Sequence, residues 1–136
     1  MKKLILTLVT ALLFNLAGAQ TTYKAARAEW HVYNEQTQQW EVQVINKDIN
    51  INIVSYKDVV NIQAQSPTLY RISNKKDNES EDFVGYRYDA VEYVGMKKCT
   101  LDIMKMKGDN SGIFVISIFI QDQGNYINLR YFATTN

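Results

Sequence analysis

Residues 49–53 read Ile-Asn-Ile-Asn-Ile, a swap of hydrocarbon for amide at every step, and Val59 to Gln65, VVNIQAQ, does nearly the same. Successive side chains of a strand point to opposite sides, so this rhythm describes a sheet with one dry face and one wet face. A register slip of one residue would carry every isoleucine into water, so the pattern constrains pairing as well as burial.

That constraint, followed outward, sets the hairpins. Trp30 and Val32 turn inward with Trp40, Val42 and Val44, pairing Val32 with Val42 and Trp30 with Val44. Val44, Val42 and Trp40 then oppose Ile49, Ile51 and Ile53, which in turn oppose Ala64, Ile62 and Val60. Ala64 and Ile62 meet Tyr70 and Ile72, with Pro67 in the connecting loop, where its missing N–H breaks no ladder. The run SNKKDNESED, Ser73 to Asp82, holds no apolar residue and reads as a mobile loop. Beyond it Tyr86, Tyr88 and Ala90 oppose Ile103, Leu101 and Cys99, and Leu101 and Ile103 oppose Ile118 and Ile116. Ile120, Ile118 and Ile116 face Ile127, Leu129 and Tyr131.

The pattern predicts an all-β fold: an eight-stranded antiparallel up-and-down meander closing into a small barrel, with a two-sheet β-sandwich as the alternative. Closure removes the exposed edges that invite aggregation. An interior of this size is filled by side chains or holds one small ligand. Inward-facing Trp30, Trp40, Tyr70, Tyr86, Tyr88 and Phe114 favour filling.

The first residues follow another rule. Lys2-Lys3, an apolar run from Leu4 to Leu16 broken only by Thr7, Thr10 and Asn15, and then Ala17-Gly18-Ala19 predict a signal peptide over 1–19. The run falls short of the roughly 20 apolar residues a span needs. The expectation is a single domain over 20–136, exported to the periplasm or secreted, with no membrane span once the signal is removed. Without Lys2 and Lys3, thirteen basic residues stand against fourteen acidic, a net charge of −1. Such a balance carries no footprint for nucleic acid. Cys99 is the only cysteine, so no internal disulfide is expected and packing alone must hold the domain.

The outer face changes character along the chain. Glu41, Gln43, Asn50, Asn52, Asn61, Gln63 and Arg71 make it wet at first. IFVISIFI, Ile113 to Ile120, is apolar on both sides except at Ser117. Met104 falls opposite Val115, Met106 opposite Ile113, and Val115 beside Phe132. A strand buried on both faces reads as a continuous apolar run, so something must cover this patch. Met104, Met106, Ile113, Val115 and Phe132 are the expected interface. Three covers are open: Tyr23 to Ala28, YKAARA, folded as a short helical turn; a second copy in a homodimer; or a foreign protein or small apolar ligand.

Signs of catalysis are few. His31 is the only histidine and falls on the polar side of its strand, which predicts a solvated imidazole rather than a metal ligand or triad member. Cys99 falls inward near Ala90 and Ile120, as an inert thiol. Asp89 and Asp102 lie near Arg87 and Arg130 as surface ion pairs, which contribute little. Arg71, Asp102 and Arg130 would also meet lipid in an outer-membrane barrel, which argues against one. No phosphate loop or calcium loop is present in the sequence. The expectation is a non-catalytic binding or interaction protein, without cofactor, using the outer face of its C-terminal strands or the barrel mouth.

Trp30-His31-Val32-Tyr33-Asn34 and Gln39-Trp40, followed by Ile51-Asn-Ile53, Val60-Asn-Ile62 and Tyr70-Arg-Ile72, resemble small exported β-meander proteins of Gram-negative bacteria without a settled activity. The Ala17-Gly18-Ala19-Gln20 junction is similar to theirs. The likeness covers Trp30 to Ile72 and rests on apolar spacing. It implies a lipocalin-like or related small barrel, with a carrier of a small apolar ligand as the alternative function, and names no reaction.

Overall fold

The computed structural model describes residues 20–108 and 112–135. The predicted signal segment and residues 109–111 lie outside them. Nine strands run in sequence: β1 Gln20–Asn34, β2 Gln39–Asn46, β3 Ile51–Tyr56, β4 Val59–Gln63, β5 Thr68–Glu79, β6 Phe83–Glu92, β7 Lys98–Met106, β8 Ile113–Asp122 and β9 Asn125–Thr135. Eight of them, β1 and β3 to β9, pair antiparallel in a ring closed by β1 against β9, and β2 hangs on β1 outside it. The described residues contain no helix.

The C-terminal half pairs as the alternation predicts. Tyr86 meets Ile103, Tyr88 meets Leu101 and Ala90 meets Cys99. Leu101 meets Ile118 and Ile103 meets Ile116. Ile120, Ile118 and Ile116 meet Ile127, Leu129 and Tyr131. Ile53, Val60, Leu101, Ile116 and Ile118 are fully enclosed in the ring, and Ile49 and Ile51 pack against them. The isoleucine side of the opening stretch is the core, and the middle of the barrel is filled.

The N-terminal half departs from prediction. Tyr23 to Ala28 is strand, not a helical turn, because the ring needs β1 to bridge β3 and β9: Tyr23 to Ala25 pair with Ile53 to Ile51 on one edge and with Thr135 to Ala133 on the other. Farther along the same edge β1 pairs with β2, so β2 and β3 never meet and the Val44–Ile49 ladder does not form. A bulge sets Trp30 opposite Val44 but His31 opposite Val42, leaving Gln43 unpaired and putting Val42 and Trp40 on the other face from Val44. Trp30, Trp40, Val42 and Val44 are therefore not core: each is 36–49% exposed.

β3 and β4 keep the predicted faces but slide by two residues, Ile53 meeting Ile62 and Ser55 meeting Val60. β4 and β5 slide by four, with Val60 in place of Ala64 opposite Tyr70. Such an even slip leaves every side chain on its side. The polar run after Ile72 is not a loop. It continues β5 to Glu79, paired with β6, and takes one extra residue between Ser73 and Lys76, where Asn74 has φ of 53°. A solvated strand needs no apolar residues once its backbone is paired.

Ile53→Ala should cost about 2–5 kcal/mol, as cavities in filled cores do, and Val42→Ala about 0.5 kcal/mol or less, since β2 lies outside the ring. Urea unfolding of the two variants checks this, and equal losses would contradict the placement of β2.

Candidate functional site

Three cross-strand rows tile the outer face of β6 to β9 and continue onto β1. The first carries Thr100, Phe119, Asn128 and His31, and the second Arg87, Asp102, Ser117, Arg130 and Glu29. The third carries Met104, Val115, Phe132 and Arg27. On an ordinary barrel this face would be wet. Here Met104, Val115, Asp102, Ser117, Glu29 and His31 are each less than a tenth exposed, and Asn128 is fully enclosed.

The cover comes from β5 and β6 on one side and from β8 and β9 on the other. A Cβ on Gly85 would lie 2.1 Å from the Ile103 carbonyl oxygen, so β6 presses on β7 where only glycine fits. The extra residue in β5 puts Asn78 level with Gly85, and with no side chain between them the Asn78 amide donates to Asp102 Oδ2 at 3.3 Å. The result is a groove of about 320 Å³. Met104, Val115, Ser117 and Asp102 form its floor; Asn78, Phe83 and Arg87 make one wall, and Phe119, Arg130 and Phe132 the other.

Its charges are mostly spoken for. Arg87 donates to both Asp102 oxygens, from Nε at 2.8 Å and Nη2 at 2.9 Å, and its guanidinium lies 5.6 Å from the Phe119 ring centre. This two-pronged bond to a buried carboxylate holds the Arg87 pKa above its ordinary value, and the Asp102 charge adds to it against burial. The pair is thus buried on the Asp102 side, not the surface contact expected. Glu29 accepts from Arg27 Nε at 2.7 Å and from His31 Nε2 at 2.9 Å. His31 lies on the outer face as the alternation predicts, but is 6% exposed and not solvated, because that face is covered there. Burial raises the Glu29 pKa, but the hydrogen bonds from His31 and Arg27 outweigh it, leaving the carboxyl below its ordinary range. Arg130, between Ser117 and Glu29 in the row, has no ion-pair partner among the described residues.

Of the expected interface, Met104 and Val115 reach the groove floor and Phe132 its wall, while Met106 and Ile113 sit half-buried beyond them. The alternation found these apolar residues. It also put Arg87 beside Asp102 and Phe119 in the doubly apolar strand, and missed Asn78 and Phe83, within and just after the run read as a loop. Cys99 is half-buried in the ladder with Ala90; burial, then the Glu92 charge, pushes its thiol up to about 11, so it stays protonated at neutral pH. Among the described residues, no three His, Cys, Asp or Glu side chains gather as a metal site. No helix among them is long and apolar enough to cross a membrane. No protein-family model matches the chain, and neither do the curated proteins or solved structures it was compared with.

Glu29 binds a proton less readily folded than unfolded. Its stabilising contribution is therefore present above its unfolded pKa of about 4.5 and lost as pH falls through the lower folded value. Wild type should lose urea resistance more steeply than Glu29→Gln as pH falls below about 4.5. Parallel profiles would show that the Arg27–Glu29–His31 cluster does not form in solution.

Proposed function

We propose that this is an exported, non-catalytic binding protein whose site is the groove on the outer face of β6 to β9. The groove itself carries the reading. Sites for small ligands are concave, mostly apolar and fitted with a few directed polar groups, and start at about 300 Å³. Three phenylalanines, Met104 and Val115 supply the apolar part here, and Ser117, Asn78 and Arg130 the polar part. Met104 and Val115 are 7% and 6% exposed, too deep for a flat protein surface to touch, which favours a small molecule over a homodimer or foreign protein.

The second reading, a lipocalin-like carrier, draws on a cleft of about 450 Å³ at one barrel mouth, lined by Tyr23, Tyr86, Ile103 and Phe114 among others. Tyr23 and Phe114 meet edge to face at 5.2 Å, with fully enclosed Leu101 and Ile116 elsewhere in the same core, so a ligand would rest in the mouth and not enter the ring.

A neutral solvatochromic dye such as Nile red separates the two. Val115→Trp, which fills the groove, and Phe132→Ala, which removes a wall without crowding the core, should each weaken dye binding about tenfold. Val84→Trp at the mouth should leave it unchanged. The opposite ranking would favour the carrier, and indifference to all three variants would remove both sites.

A further inference from the structure

We propose that the groove's ligand is a small monoanionic amphiphile, a carboxylate joined to an acyl chain or ring, held at its head by Arg130. The inference rests on the groove being the binding site and adds the chemistry of what occupies it.

The argument is one of charge left over. The ionisable groups lining the groove are Arg87, Asp102 and Arg130, a net charge of +1. Asp102 forms no ion pair with Arg130, and its oxygens accept from Arg87 and Asn78 instead. Glu29, beside Arg130 across the β1–β9 ladder, is held by Arg27 and His31. Both carboxylates of the row are thus occupied, and a half-buried guanidinium remains with five donors to satisfy. One carboxylate matches that surplus. A dianionic phosphate would exceed it and add repulsion from Asp102, and a cation would meet an unopposed arginine.

The rest of the groove defines the body of the ligand. From Arg130 the lining passes over Val115 and Met104 between Phe132 and Phe83, all apolar. At about 30 Å³ for each water-sized group, 320 Å³ holds about ten heavy atoms besides the head group at its rim. That is a chain of medium length or a substituted ring, not a long lipid.

Calorimetry with decanoate, 1-decanol and decyltrimethylammonium, on wild type and Arg130→Gln, tests the proposal. Wild type should prefer decanoate to decanol by about ten- to a hundredfold, the worth of a charge-assisted hydrogen bond, and should bind the ammonium most weakly. Arg130→Gln should erase the preference, and Arg130→Lys should keep part of it. Decanol binding as tightly as decanoate overturns the carboxylate and leaves the groove reading standing. So does decanoate affinity unchanged in Arg130→Gln. If no amphiphile binds wild type, both readings fall. The wild-type comparison decides the question even if a variant folds poorly.

Discussion

The architecture depends on how one strand is shared. β1 carries fifteen residues, more than the other strands, because it meets β9 along one edge and both β3 and β2 along the other. Its pairing with β9 closes the ring, so each of the eight strands has a neighbour on both sides over at least part of its length, which limits the usual hazard of an open sheet. The register shift after Ala25 divides it: Tyr23 and Ala25 point into the core, while Arg27, Glu29 and His31, also odd-numbered, point outward. Without that shift the Glu29 carboxylate would point into hydrocarbon, where an unpaired charge is too costly to keep.

That division lets the outer face hold buried charge. Asp102 and Glu29 lose water, and each takes at least two hydrogen bonds from cationic or polar donors in return. Removing one partner of such a group costs more than the pair itself contributes. Arg87 and Arg27 also lie over the rings of Phe119 and Phe132, joining the charged row to the aromatic walls. Asn128 breaks the rule: fully enclosed beside His31, neither of its amide atoms has a partner among the described residues. A polar group left in that state marks a place where packing has been overruled.

The core was legible in the sequence because period two is a local signal. From Tyr86 to Tyr131 strands meet without a shift, and each predicted core-facing pair forms. Ile49 to Ile53 kept its face even where its partner moved, since an even slip preserves facing. What failed was non-local. Trp30 and Val44 do share a row with core-facing Leu129, but β3 has left β1 at that point and no strand covers them. Trp40 was turned by the Gln43 bulge and packs instead against Tyr33 and Phe119. The polar end of β5 looked like a loop because composition reports burial, and this stretch is held by its backbone ladder and by polar side-chain contacts such as Asn74 to Asp89. Of the site, Met104, Val115 and Phe132 could be read from a doubly apolar strand. Of its polar half, the closeness of Asp102 to Arg87 could be read, but not its burial or the contact with Asn78.

Three local irregularities fall in or beside the same groove. The shift in β1 sends Glu29 and His31 outward, the extra residue in β5 sends Asn78 outward, and Gly85 clears the path from Asn78 to Asp102. A sequence that only needed a stable barrel would keep the rhythm throughout, since each irregularity weakens a ladder. Departures from local rules that cluster in space are where a fold accommodates something besides folding. The filled interior then acts as a rigid backing: Leu101, Ile116 and Ile118 lock β7 and β8 from behind, so that Asp102, Ser117 and Val115, alternating with them, present a fixed floor. A site on strands so braced holds its shape before anything binds, which keeps the entropy lost on binding small.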